Sequence, residues 1–578
     1  MLTTSISPRR AAVPAARVRV LPCLRLVAAA GAVVAAGCTA ERVAPNDGRG
    51  GTLVIATAGD VDALVPPIVT SLQGAQVTAQ IFDRLAEPDS TLETAGDAHF
   101  RPRLAQSWRW APDSLSVAFA LDARARWHDG RPVTARDVAF SYALAVDPKT
   151  ASPAAPLLGG IDSVVARDSL TAVVWFKHRS PRQFFDATYQ LWVLPEHLLA
   201  GVPRDQLAAS AFARHPVGSG RFRFAAWTPG QQVALVADTA NYRGRPGLDR
   251  VVWTISADPG AATRRLVAGE ADVWEQLRGE GLAQVAHAPS VRTVGYASMD
   301  VGYLAFNLRD GVGGPHALFG DRALRRALAA SIDRASVVRN VFDTLAYASA
   351  APLPRSVSHV SATEAATFGP AYDPAAAAAA LDALGWHVGP GGTRVRAGQA
   401  LRFHLLVPTT STVRQRLAVL LQSQFARVGA AVEIDAVDPA AFGRALQTGH
   451  YDAMLNAWHS DPSPTTIVEQ WGAPGAAGRG SANVSGYHNA AFEALVARAG
   501  DAGSRPEAGA LWTQAYATLA DDAPAVWLYE PKLVAGVHRR IQPVGLRPDA
   551  WWANLADWHV APGQQIARDR AGMTFAAR

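Results

Sequence analysis

Trp458-His459-Ser460-Asp461 is the segment of this chain whose residue types best suit contact with a ligand. The run from Tyr451 to Trp458 reads as a strand, so Asp461 falls two to three residues past a strand end, beside a large aromatic. A carboxylate there can accept a charge-assisted hydrogen bond from an ammonium group. An indole face adds apolar area and cation–π attraction. Together these features read an amine. The competing role is structural: Asp461 precedes Pro462-Ser463-Pro464, and aspartate before proline starts turns readily. A turn role does not preclude the other. Further pocket candidates are Trp274-Glu275, Trp471 and Tyr487, although tryptophan at such spacing is as often core as pocket.

Signatures of catalysis are missing. The chain has no H-E-x-x-H zinc motif, no G-x-x-x-x-G-K-[ST] phosphate loop and no G-x-S-x-G nucleophile elbow. Gly218-Ser219-Gly220 lacks the elbow's first glycine and leads into the strand-like Arg-Phe-Arg-Phe, so it reads as a turn. The 15 histidines are scattered without close i, i+4 pairs on a helix, which gives a metal centre little support. No catalytic residue, metal site or cofactor is expected. The alternative from another class is a secreted α/β hydrolase. It needs a nucleophile with a positioned base, and no Ser/His/Asp set stands out.

The N-terminus carries Arg9, Arg10, Arg17, Arg19 and Arg25 without an acid, then an apolar run from Leu26 to Val34. Ala35-Ala36-Gly37-Cys38 follows. Basic, apolar and small-residue regions in this order make a secretory signal over residues 1–37. The run is too short to span a bilayer, which takes roughly 20 apolar residues. Ala35 to Cys38 resembles a bacterial lipobox, so Cys38 is expected to be lipidated and to anchor the protein to a membrane. Several acyl chains hold firmly where one binds marginally. Residues 38–51, rich in Gly, Asn, Asp and Pro, read as a flexible tether.

Processing changes the charge argument. The formal charge of +6 falls to about +1 once those five arginines leave, so the sequence pI of 9.5 is no sign of nucleic-acid binding. Both cysteines, Cys23 and Cys38, lie at or before the processing site, so the mature body has no disulfide and no Cys-based metal site. A body of about 540 residues exceeds what one core supports.

The elements that must position these residues mix strand and helix. Thr52 to Ala58 is a short apolar run suited to a buried strand. Leu115, Val117, Phe119 and Leu121 alternate onto one strand face. Asp321 can cap a helix striped by Leu324, Ala327, Leu328, Ser331 and Ile332, and Asp333 can cap the next. Asp373-Pro374 opens an alanine-rich helix that Gly385 ends. Thr134 with Asp137 forms a capping box after the Asp129-Gly130 turn. Leu401–Val407, Val413–Val428 and Ala431–Val437 make a βαβ unit, whose parallel strands need a right-handed crossover. A helix over Pro439–Thr448 and the strand ending at Trp458 extend it. Ligands of such α/β units sit beyond the C-terminal strand ends, where Trp458 to Asp461 fall. Gly218 and Gly220 read as turn glycines, and Asn307 as a residue that satisfies backbone groups.

A pattern along almost the whole length carries a resemblance. Leu104-Ala-Gln-Ser-Trp108, Trp127-His-Asp-Gly130, Val133-Thr-Ala-Arg-Asp-Val138 and Phe140-Ser-Tyr142 come first. Val217-Gly-Ser-Gly-Arg-Phe222, Trp227, Pro229-Gly230, Asn241-Tyr242 and Gly269-Glu-Ala-Asp-Val273 follow. Then come Phe306-Asn307, Arg325-Arg-Ala-Leu328, Ile332-Asp-Arg334, Tyr451-Asp452, Trp458, Asp461 and Pro464. Ala523-Pro524 to Tyr529 and Trp551 to Trp558 complete the series. In this order the chain resembles the family 5 extracytoplasmic solute-binding proteins of ABC importers for oligopeptides, dipeptides and nickel. Asp122 departs from the pattern, standing where a basic residue is usual, and reads as a surface change.

The resemblance implies a two-lobed α/β periplasmic-binding-protein-like fold with an inserted subdomain and a hinge. Lobe one is expected from 52–86, 216–300 and 532–578, the insert from 87–215 and lobe two from 301–531. It implies capture of a peptide-like solute in the interlobe cleft and delivery to an ABC transporter permease, without catalysis. The expected site is Asp461, Trp458, His459, Trp274, Glu275, Tyr487 and Trp471. In peptide-binding members the aspartate at the position of Asp461 holds the ligand's α-amino group. An arginine that some members carry three residues before the tryptophan is Leu455 here. A monomer in the periplasm or cell envelope, lipid-anchored at Cys38, is expected. A nickel chelate, an oligosaccharide or an opine as ligand, or a signalling role, stays open within the family.

Overall fold

Capping and alternation set the local elements. The computed structural model describes residues 50–310, 313–358, 360–473, 482–502, 505–543 and 545–570. The signal segment, Cys38 and the tether up to residue 49 lie outside the described residues.

Asp321, Asp333 and Asp373 each accept backbone N–H bonds at the start of helices Arg322–Ala330, Arg334–Val337 and Pro374–Ala383. Thr134 N–H donates to Asp137 at 2.8 Å as helix Ala135–Val146 begins. The βαβ unit forms as strand Arg402–Pro408, helix Thr412–Arg427 and strand Ala431–Val437, with the strands parallel. The strand that extends this unit is Ala453–His459 rather than Tyr451–Trp458. Just before it Asn307 satisfies the backbone, its N–H donating to the Asp452 carbonyl and its side-chain amide to the carbonyls of Tyr451 and Gly449. Val117, Phe119 and Leu121 are buried in strand Ser116–Leu121, whereas Leu115 precedes the strand and is half-buried.

Twelve strands join one continuous sheet. Its spine is the long strand Ala525–His538. The C-terminal half of that strand pairs with Val291–Ala297 and Val273–Trp274. Thr52–Thr57, Arg250–Ile255, Gln232–Ala237 and Phe222–Thr228 continue that side in order. The N-terminal half pairs with Ala346–Ala348 and Asp300–Phe306, beyond which lie Ala453–His459, Arg402–Pro408 and Ala431–Val437. The chain thus passes between lobes twice, side by side: at Ala297–Asp300 and within the long strand, where Tyr296 pairs with Leu533 and Gly302 with Tyr529. Gly302 is required there, since a Cβ would stand 2.1 Å from the Tyr529 ring.

Each region has its own apolar core. Leu53, Val77, Phe222 and Trp253 anchor one lobe. Leu304, Phe403, Leu421 and Phe425 anchor the other, whose second sheet face packs Tyr303, Trp471 and Trp527. A separate four-stranded sheet, with Phe119, Trp127, Val174 and Phe184 in its core, forms the insert. Buried Asp83 ties two segments of lobe one together, its carboxylate accepting from Ser219, Tyr242 and Arg243, while its carbonyl accepts from Val193 N–H of the insert.

Several family-pattern residues prove structural. Asp272 is fully buried and accepts from Arg540 at 2.6 and 2.9 Å, while Arg540 also reaches Asp569 at 2.9 Å. The same carboxylates hold the edge of strand Thr52–Thr57: Val54 N–H donates to Asp272 and Thr52 N–H to Asp569. Gly218 and Gly220 are not left-handed turn positions. They are close-approach glycines, because a Cβ on either would strike the carbonyl oxygens of Ile81 or Gln80 at 1.9 to 2.3 Å. Asp122 is buried rather than a surface change, and grips Arg124 through Nε and a terminal nitrogen at 3.0 and 2.7 Å.

Candidate functional site

A cavity of about 650 Å3 lies where the two lobes meet. Helix Leu72–Ile81 forms one wall, presenting Leu72, Ala75, Thr78 and Ala79. The helix starts where it does because Ser71 caps it, accepting from Gly74 N–H at 2.9 Å. The turn Arg547 to Ala553 forms a second wall, and Tyr189 and Trp192 of the insert reach in beside it. The interlobe passages close the remaining side with Tyr296, Asp300, His459 and Leu533.

Both signs of charge face this space. Glu275, immediately after strand Val273–Trp274, is 2% exposed. Its Oε1 accepts from Gln76 at 3.3 Å, and its Oε2 has no partner. Burial pushes the carboxyl up to about 7, with the Gln76 bond opposing only in part. His459 Nδ1 stands 2.9 Å from Asp300 Oδ1. That hydrogen bond raises the imidazole above its ordinary range, and although burial opposes, the same bond lowers Asp300. Burial alone would raise Glu87, but Arg103, then Arg547 and Arg84, hold it at about 2. Burial, then the Asp549 charge, drives the Tyr189 phenol well above 10.

The structure separates the expected site residues into three groups. His459 and Glu275 line the cavity. Asp461 and Trp458 stand beside it without lining it. Asp461 is half-buried two residues beyond the strand and accepts from Gln190 of the insert at 3.3 Å. Its charge acts on Arg182, Tyr189 and His459. Trp458 donates its indole N–H to Thr466 at 3.2 Å and packs on the core of its lobe. Trp274, Trp471 and Tyr487 are core. Trp274 packs with Ala56, Leu266 and Leu277. Trp471 meets Tyr303, Tyr487 and Trp527 edge-on, and the Tyr487 hydroxyl donates to Asp522 at 2.8 Å. These three fill the faces of the sheets, where apolar area is worth most.

Sequence reasoning missed Arg84, Tyr189, Trp192, Arg278, Arg547 and Asp549, all of which line the cavity. Only Trp551 and Trp552 carried a signal, as part of the C-terminal pattern. Among the described residues no cluster of His, Cys, Asp and Glu could hold a metal ion, and no helix is long and apolar enough to cross a membrane.

Residues 99–479 match the bacterial extracellular solute-binding proteins, family 5, middle region. The oligopeptide-binding protein AppA of Bacillus subtilis is 24% identical over 531 residues, spanning 90% of this chain and 94% of that one. Protein XP55 of Streptomyces lividans is 29% identical over 496 residues, spanning 83% and 84% of the two chains. The structure of Bacillus subtilis AppA in complex with a nonapeptide superposes with a TM-score of 0.72 at 23% identity, covering 89% of this chain and 99% of that one. That likeness establishes the fold: α/β, two-lobed and periplasmic-binding-protein-like.

Proposed function

This chain belongs to the bacterial extracellular solute-binding proteins of family 5, and on that premise we propose that it captures a peptide-like solute between its lobes and delivers it to an ABC transporter permease. The observation that carries this reading is the interlobe cavity. It combines aromatic walls from Tyr189, Trp192 and Tyr296 with opposed charges from Arg84, Arg278, Glu275 and Asp300. A zwitterionic chain with apolar side groups needs such a lining: apolar area for affinity and a few placed charges for orientation. One relative supports the peptide class: AppA of Bacillus subtilis is an oligopeptide-binding protein whose structure is in complex with a nonapeptide.

The mechanism follows from the two strand passages at Ala297–Asp300 and Leu533. Short paired crossings let lobes swing as rigid bodies about a hinge. Ligand shifts that equilibrium only as far as it binds the closed form better than the open one. Wall residues from both sides therefore matter, and the insert supplies part of them. It touches lobe two through Thr94 Oγ1 donating to the Pro462 carbonyl at 2.6 Å, through Gln190 to Asp461, and through Arg182 to Thr465. In this reading Asp461 holds the ligand's amino group, near His459 and Tyr189 of the cavity. The protein performs no catalysis, acts as a monomer and is tethered outside the cytoplasm by lipid at Cys38. Cys38→Ser should release it from the membrane fraction.

Calorimetry of the mature protein against pools of unblocked tetrapeptides, paired with small-angle scattering, tests the proposal. One site per chain near micromolar affinity, about −8 kcal/mol, and a smaller radius of gyration at saturation are expected. Heat-silent titrations with every pool would exclude the peptide class.

A further inference from the structure

Where lobe one and the insert meet beside the cavity, charges of the two signs are unequal in number. Three arginines, Arg84, Arg103 and Arg547, meet two acids, Glu87 and Asp549. Arg103 holds Glu87 at 2.6 Å. Arg547 holds Asp549 through two N–H bonds of 2.9 and 2.5 Å, and the Tyr189 hydroxyl donates to Asp549 at 3.2 Å. Each acid is thus engaged by its own arginine. Arg84 is the third: among the described residues no acid sits within ion-pairing distance of it, although the charges of Glu87 and Asp549 both act on it.

The surroundings of Arg84 fit it for one task. Its guanidinium carbon lies 4.1 Å from the centre of the Tyr189 ring and 3.8 Å from that of Trp192. Ring contact fixes the plane and strips water from guanidinium faces, while the donors remain along the edge. Nε is buried with no acceptor. The side chain lines the 650 Å3 cavity, so a solute held there lies beside this arginine. A desolvated cation without an acceptor is costly, and a planar carboxylate meets a guanidinium edge with two parallel N–H bonds.

We infer that Arg84 anchors the solute by a carboxylate group, with Tyr189 and Trp192 holding the guanidinium plane in place. The assignment rests on the peptide reading above and gives it a second, anionic end. Glu87 and Asp549 offset part of the arginine charge, while their direct ion pairs are to Arg103 and Arg547.

The test uses mature protein as wild type, Arg84→Gln and Arg84→Lys. Three tetrapeptide pools are titrated calorimetrically: free C-terminal acids lacking Asp and Glu, the same pool amidated, and an amidated pool containing Glu. Wild type should favour the acid pool, or the Glu pool if the carboxylate is a side chain, by roughly 30-fold over the amide. Arg84→Gln should abolish the preference, and Arg84→Lys, which keeps charge but not the fork, should retain a small part of it. Equal wild-type affinity for all pools removes the carboxylate anchor and leaves peptide binding intact, without depending on any variant's folding. An unchanged preference in both folded variants places the anchor elsewhere. If wild type binds no pool, the peptide reading fails and the Arg84 assignment falls with it.

Discussion

The side-chain amide of Gln190, in the insert, donates to the carboxylate of Asp461, two residues past the central strand of lobe two, at 3.3 Å. That bond joins the insert to lobe two. Asp461→Asn preserves the acceptor for Gln190 but removes the charge. If Asp461 reads an ammonium, affinity for unblocked peptide should fall by about 2–5 kcal/mol, roughly 30-fold to several-thousand-fold, while N-acetylated peptide binds both proteins alike. A turn role alone would leave affinity for both peptides unchanged, and stability too, because asparagine caps as well as aspartate. Calorimetry and thermal unfolding on the same samples separate the two.

Glu275 predicts a pH dependence. Burial pushes its carboxyl up to about 7 in the folded protein, from an ordinary glutamate value of about 4.3 in the unfolded chain. The native state therefore binds the proton more tightly than the unfolded chain. The stabilisation is complete below the unfolded value and is lost as pH rises through about 7, amounting to about 3 kcal/mol. Glu275→Gln should be as stable as wild type near pH 4.5 and more stable at pH 8. A cationic ligand group reaching Oε2 would favour the ionised form, so wild-type affinity should rise across the same window. Parallel stability curves for the two proteins would show that the carboxyl ionises without penalty.

Arg540 ties Asp272 and Asp569 to the edge of strand Thr52–Thr57, with all three side chains at most 2% exposed. Removing Arg540 leaves Asp569 without its cation while Asp272 keeps Arg568, and breaking a buried charge set in this way costs about 3–5 kcal/mol. Arg540→Met should lower the denaturant midpoint accordingly, with ligand affinity per folded molecule unchanged. A loss below about 1 kcal/mol would mean that the stranded acid finds a proton or water.

Gly302 faces the Tyr529 ring where the chain passes between lobes, and the strand pairing shifts register beside it. Gly302→Ala must displace that buried ring, an overpacking cost of about 1–3 kcal/mol. Because the strain sits at the passage, the radius change on ligand binding should shrink as well. Scattering with and without ligand reads this directly, and a variant that closes as fully as wild type would move the hinge away from Gly302.

The sequence by itself determined what short range decides. Aspartate caps at Asp321, Asp333 and Asp373 and the unit from Leu401 to Val437 depend on neighbours within a few turns, so their spacing is enough. The motif series identified the family for the same reason: its order survives without coordinates. Tertiary structure alone decided which aromatic residues are walls and which are core. Trp471, Tyr487 and Trp274 share their residue types with Trp192 and Tyr189, yet the first three fall on packed sheet faces and the latter two on the cavity. Strand Thr52–Thr57 finds its partners at Arg250 and Val273, about two hundred residues away, a pairing no local pattern encodes. Arg84 shows the limit most plainly. An arginine is surplus only after every nearby acid has found its partner, and Arg103, Arg547 and the two acids come from segments that only packing brings together.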